Sequence, residues 1–170
     1  MSFTVPGVNG FTRSEALCLT NCSSSRLAYL EKVGLIVPAR IGAISRPVVI
    51  FSWEQLIGIL IVKELRQKTS LGVVKKIVQF LNRNGIGEES RSKQLIVIDS
   101  SCFWVQRDWS DFGVIAQAAL GRTQEAPKQV CRHNLIVVPP FDAPISTIWE
   151  AALTTESINI DSFGRRAKLR

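Results

Sequence analysis

Thr12-Arg13-Ser14-Glu15, then Asn21-Cys22-Ser23-Ser24-Ser25-Arg26-Leu27, then Gly34-Leu35-Ile36-Val37-Pro38 decide how this chain is read. The first block is a capping box. The Thr12 hydroxyl accepts from the Glu15 N–H while the Glu15 carboxylate reaches back to the backbone of Thr12. Ala16, Leu17 and Leu19 supply an apolar face for a short helix, and Asn21 suits a left-handed turn that ends it. Ser23 is a good N-cap for a second helix, in which Leu27, Leu30 and Val33 recur at helical spacing. Gly34 is placed to end that helix, and Pro38 prevents its continuation. Two short helices joined by a tight turn, the second opening on small polar and basic residues, are a helix-turn-helix pattern.

Working outward, residues 39–51 hold Arg40, Gly42, Arg46, Pro47 and the β-favouring run Val48-Val49-Ile50-Phe51, which predicts a hairpin with a basic tip. Ser52-Trp53-Glu54-Gln55 starts a third helix running to about Lys68, apolar over more than one stripe. Thr69-Ser70 caps a fourth, with a stripe at Leu71, Val74, Ile77, Val78 and Leu81 and with Lys75 and Lys76 on a solvated face. Before all this, residues 1–11 read as a loose arm.

Residues 85–94 read as a polar linker, after which the composition changes. Leu95–Ile98 and Phe103–Val105 predict a hairpin, and Ser110 or Asp111 caps a helix through Ala119. A polar loop follows over 121–134. Leu135–Val138 is a further strand, Ala143–Leu153 a helix with Pro144 in its first turn, and Ile158–Ile160 a last short strand before a basic tail at 165–170. The fold class is α+β: a helix-turn-helix domain with a β wing over residues 1–84, then a small mixed α/β domain over 95–170. That second domain is expected to dimerise the protein, bind an effector or hold a partner. Trp104, Trp109, Phe112, Phe141 and Trp149 are expected mainly in its core.

The charge pattern adds direction. The chain carries a net charge of +7. Residues 1–84 hold 11 Lys/Arg and 4 Asp/Glu, whereas residues 85–170 hold 10 of each. A basic half beside a neutral half points to a polyanionic partner for the first half. With 46% hydrophobic residues the chain can bury a core. The run Leu56–Val62 is far short of the ~20 residues a membrane helix needs, and the first residues resemble no export signal, so a cytoplasmic protein without membrane contact is expected.

Catalysis is not indicated. His133 is the single histidine, Asp108 and Asp111 stand near a helix start where capping accounts for one of them, and Gly85-Ile86-Gly87 is not a phosphate loop. Cys18, Cys22, Cys102 and Cys131 include no CxxC pair and are expected as small buried residues in a reducing compartment, so neither a metal nor a cofactor is expected.

The residue types do suit DNA. A helix N-terminus offers free N–H groups and the positive end of a dipole, so Ser24, Ser25 and Arg26 are candidates for base edges or phosphate. Arg13 on the first helix, Arg40 and Arg46 on the wing and the Tyr29 hydroxyl are candidates for the backbone.

From Tyr29-Leu30-Glu31-Lys32 through Gly34-Leu35-Ile36-Val37-Pro38, with Phe51-Ser52-Trp53-Glu54-Gln55-Leu56 and Leu65-Arg66-Gln67-Lys68-Thr69-Ser70-Leu71 behind it, the chain resembles the MerR family of bacterial transcription regulators over residues 11–82. The resemblance implies a winged helix-turn-helix that binds double-stranded DNA as a homodimer. Where that family has Thr-Leu-Arg-Tyr-Tyr, this chain has Arg26-Leu27-Ala28-Tyr29-Leu30, and Val49 stands where the wing has a basic residue. The family's long dimerising helix is replaced by the α/β segment. That layout is similar to VapB-type antitoxins paired with PIN-domain toxins, which implies as the alternative a DNA-binding antitoxin whose second domain neutralises a toxin. A protein-interaction module without DNA binding is a third reading, motivated by Ala28 and Val49.

Overall fold

A computed structural model of the chain describes residues 9–86, 88–121 and 133–167. It is a mixed α+β protein with two small antiparallel sheets. The chain divides into two compact units, one formed by residues up to Lys63 together with those from Asp142 onward, the other by Glu64–Phe141.

In the first unit β1 (Phe11–Thr12) leads directly into α1 (Arg13–Thr20), whose N-terminus carries the expected capping box at Thr12 and Glu15. Asn21 adopts the left-handed conformation (φ 46°, ψ 47°) and stops α1. Ser23 caps α2 (Ser24–Lys32), and Gly34, at φ +71°, turns the chain away from it. β2 (Ala39–Ile41) and β3 (Val48–Phe51) form the expected hairpin, and β1 adds to the far side of β3 in the order β1-β3-β2. α3 (Trp53–Leu65) follows.

The rest of this unit comes from the end of the chain: α7 (Asp142–Thr154), which packs on α1, and α8 (Ile160–Arg166). Its core is aromatic. The Phe163 ring lies 5.8 Å from Phe11, 6.1 Å from Trp53 and 4.8 Å from Trp149, centroid to centroid. Aromatic rings bury a large apolar area per residue, and tilted or edge-to-face pairs add a favourable ring–ring term.

The second unit contains α4 (Leu71–Asn84), α5 (Glu88–Ser92), the hairpin β4 (Lys93–Ile98) and β5 (Ser101–Gln106), α6 (Phe112–Gly121) and β6 (Leu135–Val137). The sheet order is β5-β4-β6, with Lys93 opposite Gln106 and Ile98 opposite Ser101 across the hairpin. α4 buries Val74, Ile77, Val78 and Leu81, the stripe read from the sequence. Phe112, Ile115, Ala116 and Ala119 of α6 pack on Ile96, Ile98 and Val105 of the sheet. The Trp104 ring packs at a tilt against both Phe80 and Phe141, with centroids 6.1 and 5.8 Å away.

Several expectations are corrected. The stretch 85–94 is not a linker: α5 and the first residues of β4 occupy it, and a polar composition does not distinguish a coil from a short connecting helix. Ile158–Ile160 is not a strand. The Asn159 side chain accepts the Ser162 N–H at 2.9 Å and starts α8, a capping bond that outweighs a short β-favouring run. The compact units also do not follow the 1–84 and 95–170 division, because residues from Asp142 onward belong with the start of the chain. The charge asymmetry changes with them. The first unit holds 10 Lys/Arg against 7 Asp/Glu, a balance of +3, and the second 11 against 7, a balance of +4. Of the loop expected over 121–134, residues 122–132 lie outside the described residues, as do the arm at 1–8 and residues 168–170 of the basic tail.

Candidate functional site

The candidate site is the outer surface of α2 with the β2–β3 hairpin, both in the first unit. Leu27 and Leu30 anchor α2 in the core. That sets its phase and turns Ser24, Ser25 and Arg26 to solvent. The Ser23 hydroxyl accepts the Arg26 N–H at 3.3 Å and lies 3.3 Å from the Ser25 hydroxyl. Behind the helix, the N–H groups of Leu35 and Ile36 both bond to the Leu30 carbonyl, at 3.0 and 3.3 Å, closing the turn around Gly34.

The base of the hairpin is tied to α3. Ser52 and Gln55 form a second reciprocal cap, with Ser52 N–H to Gln55 Oε1 at 3.0 Å and Gln55 N–H to Ser52 Oγ at 3.1 Å. The Gln55 amide also donates to the Val37 carbonyl at 2.6 Å, just before β2. Gly58 leaves room for Ile36, whose Cδ1 lies 3.4 Å from the position a Cβ would take. The chain entering the hairpin is therefore tied to α3 by Gln55 of the Trp-Glu-Gln-Leu block.

Of the seven residues singled out from the sequence, Ser24, Ser25, Arg26, Tyr29, Arg40 and Arg46 are exposed. Among the described residues, the side chains of Tyr29, Arg26, Arg40 and Arg46 have no hydrogen-bond or ion-pair partner. Arg13 differs. Its guanidinium meets the Glu31 carboxylate at 2.5 Å and so joins the start of α1 to the last turn of α2. Arg13 is a brace between the two helices rather than a free cation.

Arg166 was not singled out. It donates to both Glu15 oxygens at 2.9 Å and to the Gly10 carbonyl at 3.0 Å, and it lies over the Phe11 ring at 4.6 Å. Burial raises the Glu15 pKa. The Arg166 hydrogen bonds, the Thr12 bonds and the guanidinium charge outweigh this, and the carboxyl is held below its ordinary value. The basic character of the tail was visible in the sequence, but nothing local tied Arg166 to Glu15.

Several other titratable groups sit in structural settings. Cys22 is buried, which pushes its thiol pKa up, and its Sγ bonds to the Ser23 carbonyl. Cys102 is half-buried and likewise raised by burial. Cys18 is exposed, against expectation, and Cys131 lies outside the described residues. No three His, Cys, Asp or Glu side chains gather to hold a metal among the described residues. Asp99 accepts from Asn134 N–H at 2.9 Å and meets His133 at 2.5 Å. Asp108 accepts the Ser110 N–H at 3.1 Å, and Asp111 accepts the Gln106 N–H at 2.8 Å. In the second unit an open cleft of about 410 Å³ runs past Lys68, Ser70, Asp99 and Asn134, where Lys68 is paired to Glu64 at 3.1 Å. No described helix is long and apolar enough to cross a membrane.

No family model matches the chain, and no curated protein matches it significantly.

Proposed function

We propose that this protein is a sequence-specific, double-stranded-DNA-binding transcription regulator that acts as a dimer. The first unit is read as a winged helix-turn-helix, with α2 entering the major groove and the β2–β3 hairpin lying as a wing on the flanking backbone. One observation carries the reading. Arg26 at the start of α2 and Arg40 and Arg46 on the hairpin are exposed and have no described side-chain partner, on the same unit in which Arg13 and Arg166 are committed to carboxylates. Exposed guanidinium groups on a helix start and on a hairpin of the same unit are the donor type that phosphate oxygens and base edges accept from. A single short helix reads few base pairs, so two copies on adjacent half-sites supply the specificity.

The test is selection of duplexes from a random pool by the full chain, followed by titration over a salt series. Neutralising Z phosphates gives a log–log slope of about −0.9Z. Replacing Arg26, Arg40 and Arg46 together by Ala should abolish selection and flatten the slope. A selected duplex bound equally well by that triple variant would overturn the proposal.

A further inference from the structure

The loop joining β2 to β3, Gly42-Ala43-Ile44-Ser45-Arg46-Pro47, carries a side chain that folding does not explain. Ile44 is fully exposed, at 101% of its reference area. The face of the hairpin leading to it is apolar as well. Ala39 stands opposite Ile50, and Ile41 opposite Val48. Residues opposite and two apart share a face, so these four line one side. That side is buried at Ile50 and about four-tenths exposed at Ile41 and Val48. An apolar strip thus runs out of the core to the end of the paired strands, and the loop beyond it carries the exposed Ile44. Arg40 lies opposite Val49 on the other face, and Arg46 sits just after the tip.

We propose that Ile44 is a wedge that enters the minor groove of duplex DNA beside the site read by α2, held there by Arg40 and Arg46 on the adjoining phosphates. This rests on the DNA-binding reading above and specifies the flank of its target. Charge complementarity selects a polyanion as the occupant of this tip, because Arg46 stands two residues from Ile44 and Arg40 on the other face of the same hairpin, both exposed and without described partners. The residues beside Ile44 are Gly42, Ala43 and Ser45. A tip so slender suits a groove only ~6 Å wide. A branched apolar side chain gains nothing on a phosphate surface. Between bases it replaces part of the stacking it disrupts, at a flexible pyrimidine–purine step where opening costs least. Gly42, at φ +107°, occupies a conformation that side chains resist, and so sets the turn that projects the tip.

The experiment uses the full chain, a duplex it selects, and 2-aminopurine placed at successive flanking positions. The wild type should raise the fluorescence at one flanking step about threefold or more, as unstacking requires, and netropsin should compete. Ile44→Ala should lose that rise and bind roughly tenfold more weakly, with its thermal stability unchanged, since Ile44 packs on nothing. Wild-type affinity in Ile44→Ala, no fluorescence rise at any flank and no competition by netropsin would overturn the wedge and leave the DNA-binding reading standing. Failure of the wild type to select any duplex would overturn both.

Discussion

The guanidinium of Arg166 holds both oxygens of the Glu15 carboxylate at 2.9 Å, across 151 positions of sequence. Glu15 is at the same time the third residue of α1 and the acid of its capping box. One carboxylate therefore closes the N-terminus of α1 and binds α8 beside it. Both side chains are largely buried, with 16% and 11% exposure, so the pair is shielded from the screening that weakens surface ion pairs. Arg166→Ala should lower unfolding stability by roughly 2–4 kcal/mol, because it leaves a desolvated carboxylate without its partner. Chemical denaturation of the two proteins at neutral pH measures this. A loss within experimental error would show that the clamp is not structural.

The same pair predicts a pH dependence. The Glu15 carboxyl is held below its ordinary value of 4.5. A carboxyl with a depressed folded pKa contributes stability that is fully present above the unfolded value and is lost as pH falls through the folded one. Stability should therefore decline as pH drops below about 4.5. Glu15→Gln, which keeps the shape and removes the charge, should decline less over that window. Parallel curves for the two proteins from pH 6 to pH 3 would contradict the assignment.

Gly10 stands against β3. A Cβ built there would overlap Ile50 Cγ2 and come within 2.9 Å of the Phe51 carbonyl oxygen, which belongs to a strand backbone and cannot swing aside. Gly10→Ala should cost roughly 1–3 kcal/mol through displacement of the chain entering β1. Thermal melts check this, with Gly72→Ala as the control, because nothing lies within 4 Å of a Cβ at Gly72. Gly72 lies within α4, so that control should gain a few tenths to about 1 kcal/mol by helix propensity.

What was legible in the sequence was local. Thr12 with Glu15, Asn21, Ser23, Gly34 and Ser70 each act on backbone groups a few residues away, so residue type and spacing suffice to place the turns and caps of α1, α2 and α4. The hairpin between Ala39 and Phe51 was legible for the same reason. The helix at Asn159 was equally local but was masked by two isoleucines that favour a strand. The partition into units was not legible. It depends on Phe163 entering a cluster with Phe11 and Trp53, a choice that long-range packing makes and no window of sequence contains. The pairings of Arg13 and Arg166 were not legible for a related reason. Charge counting treats every arginine alike, and only the positions of Glu31 and Glu15 separate the two braces from Arg26, Arg40 and Arg46.

That separation predicts two kinds of arginine variant. Arg13→Ala removes the 2.5 Å pair with Glu31 and loosens the register of α1 on α2. It should lower stability by roughly 1–2 kcal/mol, a partly buried charge-assisted bond being lost, and affect DNA binding only to the extent that the fold is affected. Arg26→Ala, Arg40→Ala and Arg46→Ala should each leave the melting temperature within about 2 °C and reduce the salt slope of duplex binding by about 1. Both quantities are measured for all four variants. An Arg13 variant with wild-type stability and a reduced salt slope would reverse its assignment from brace to contact.

The thiols provide a check on the phase of α1 that does not involve DNA. Cys18 is exposed on α1, whereas Cys22 is buried in the turn and Cys102 half-buried on β5. Burial pushes the pKa of both Cys22 and Cys102 up, so at pH 8 each is further from its reactive thiolate than an exposed cysteine. An aromatic disulfide reagent added to the native protein should give a fast phase that includes Cys18, with Cys22 reacting only on unfolding. Cys18→Ser should reduce the fast amplitude by one thiol, and Cys22→Ser should leave it unchanged. If Cys18→Ser leaves the fast amplitude unchanged, α1 is rotated from the phase that exposes Cys18 and buries Ala16 and Leu19.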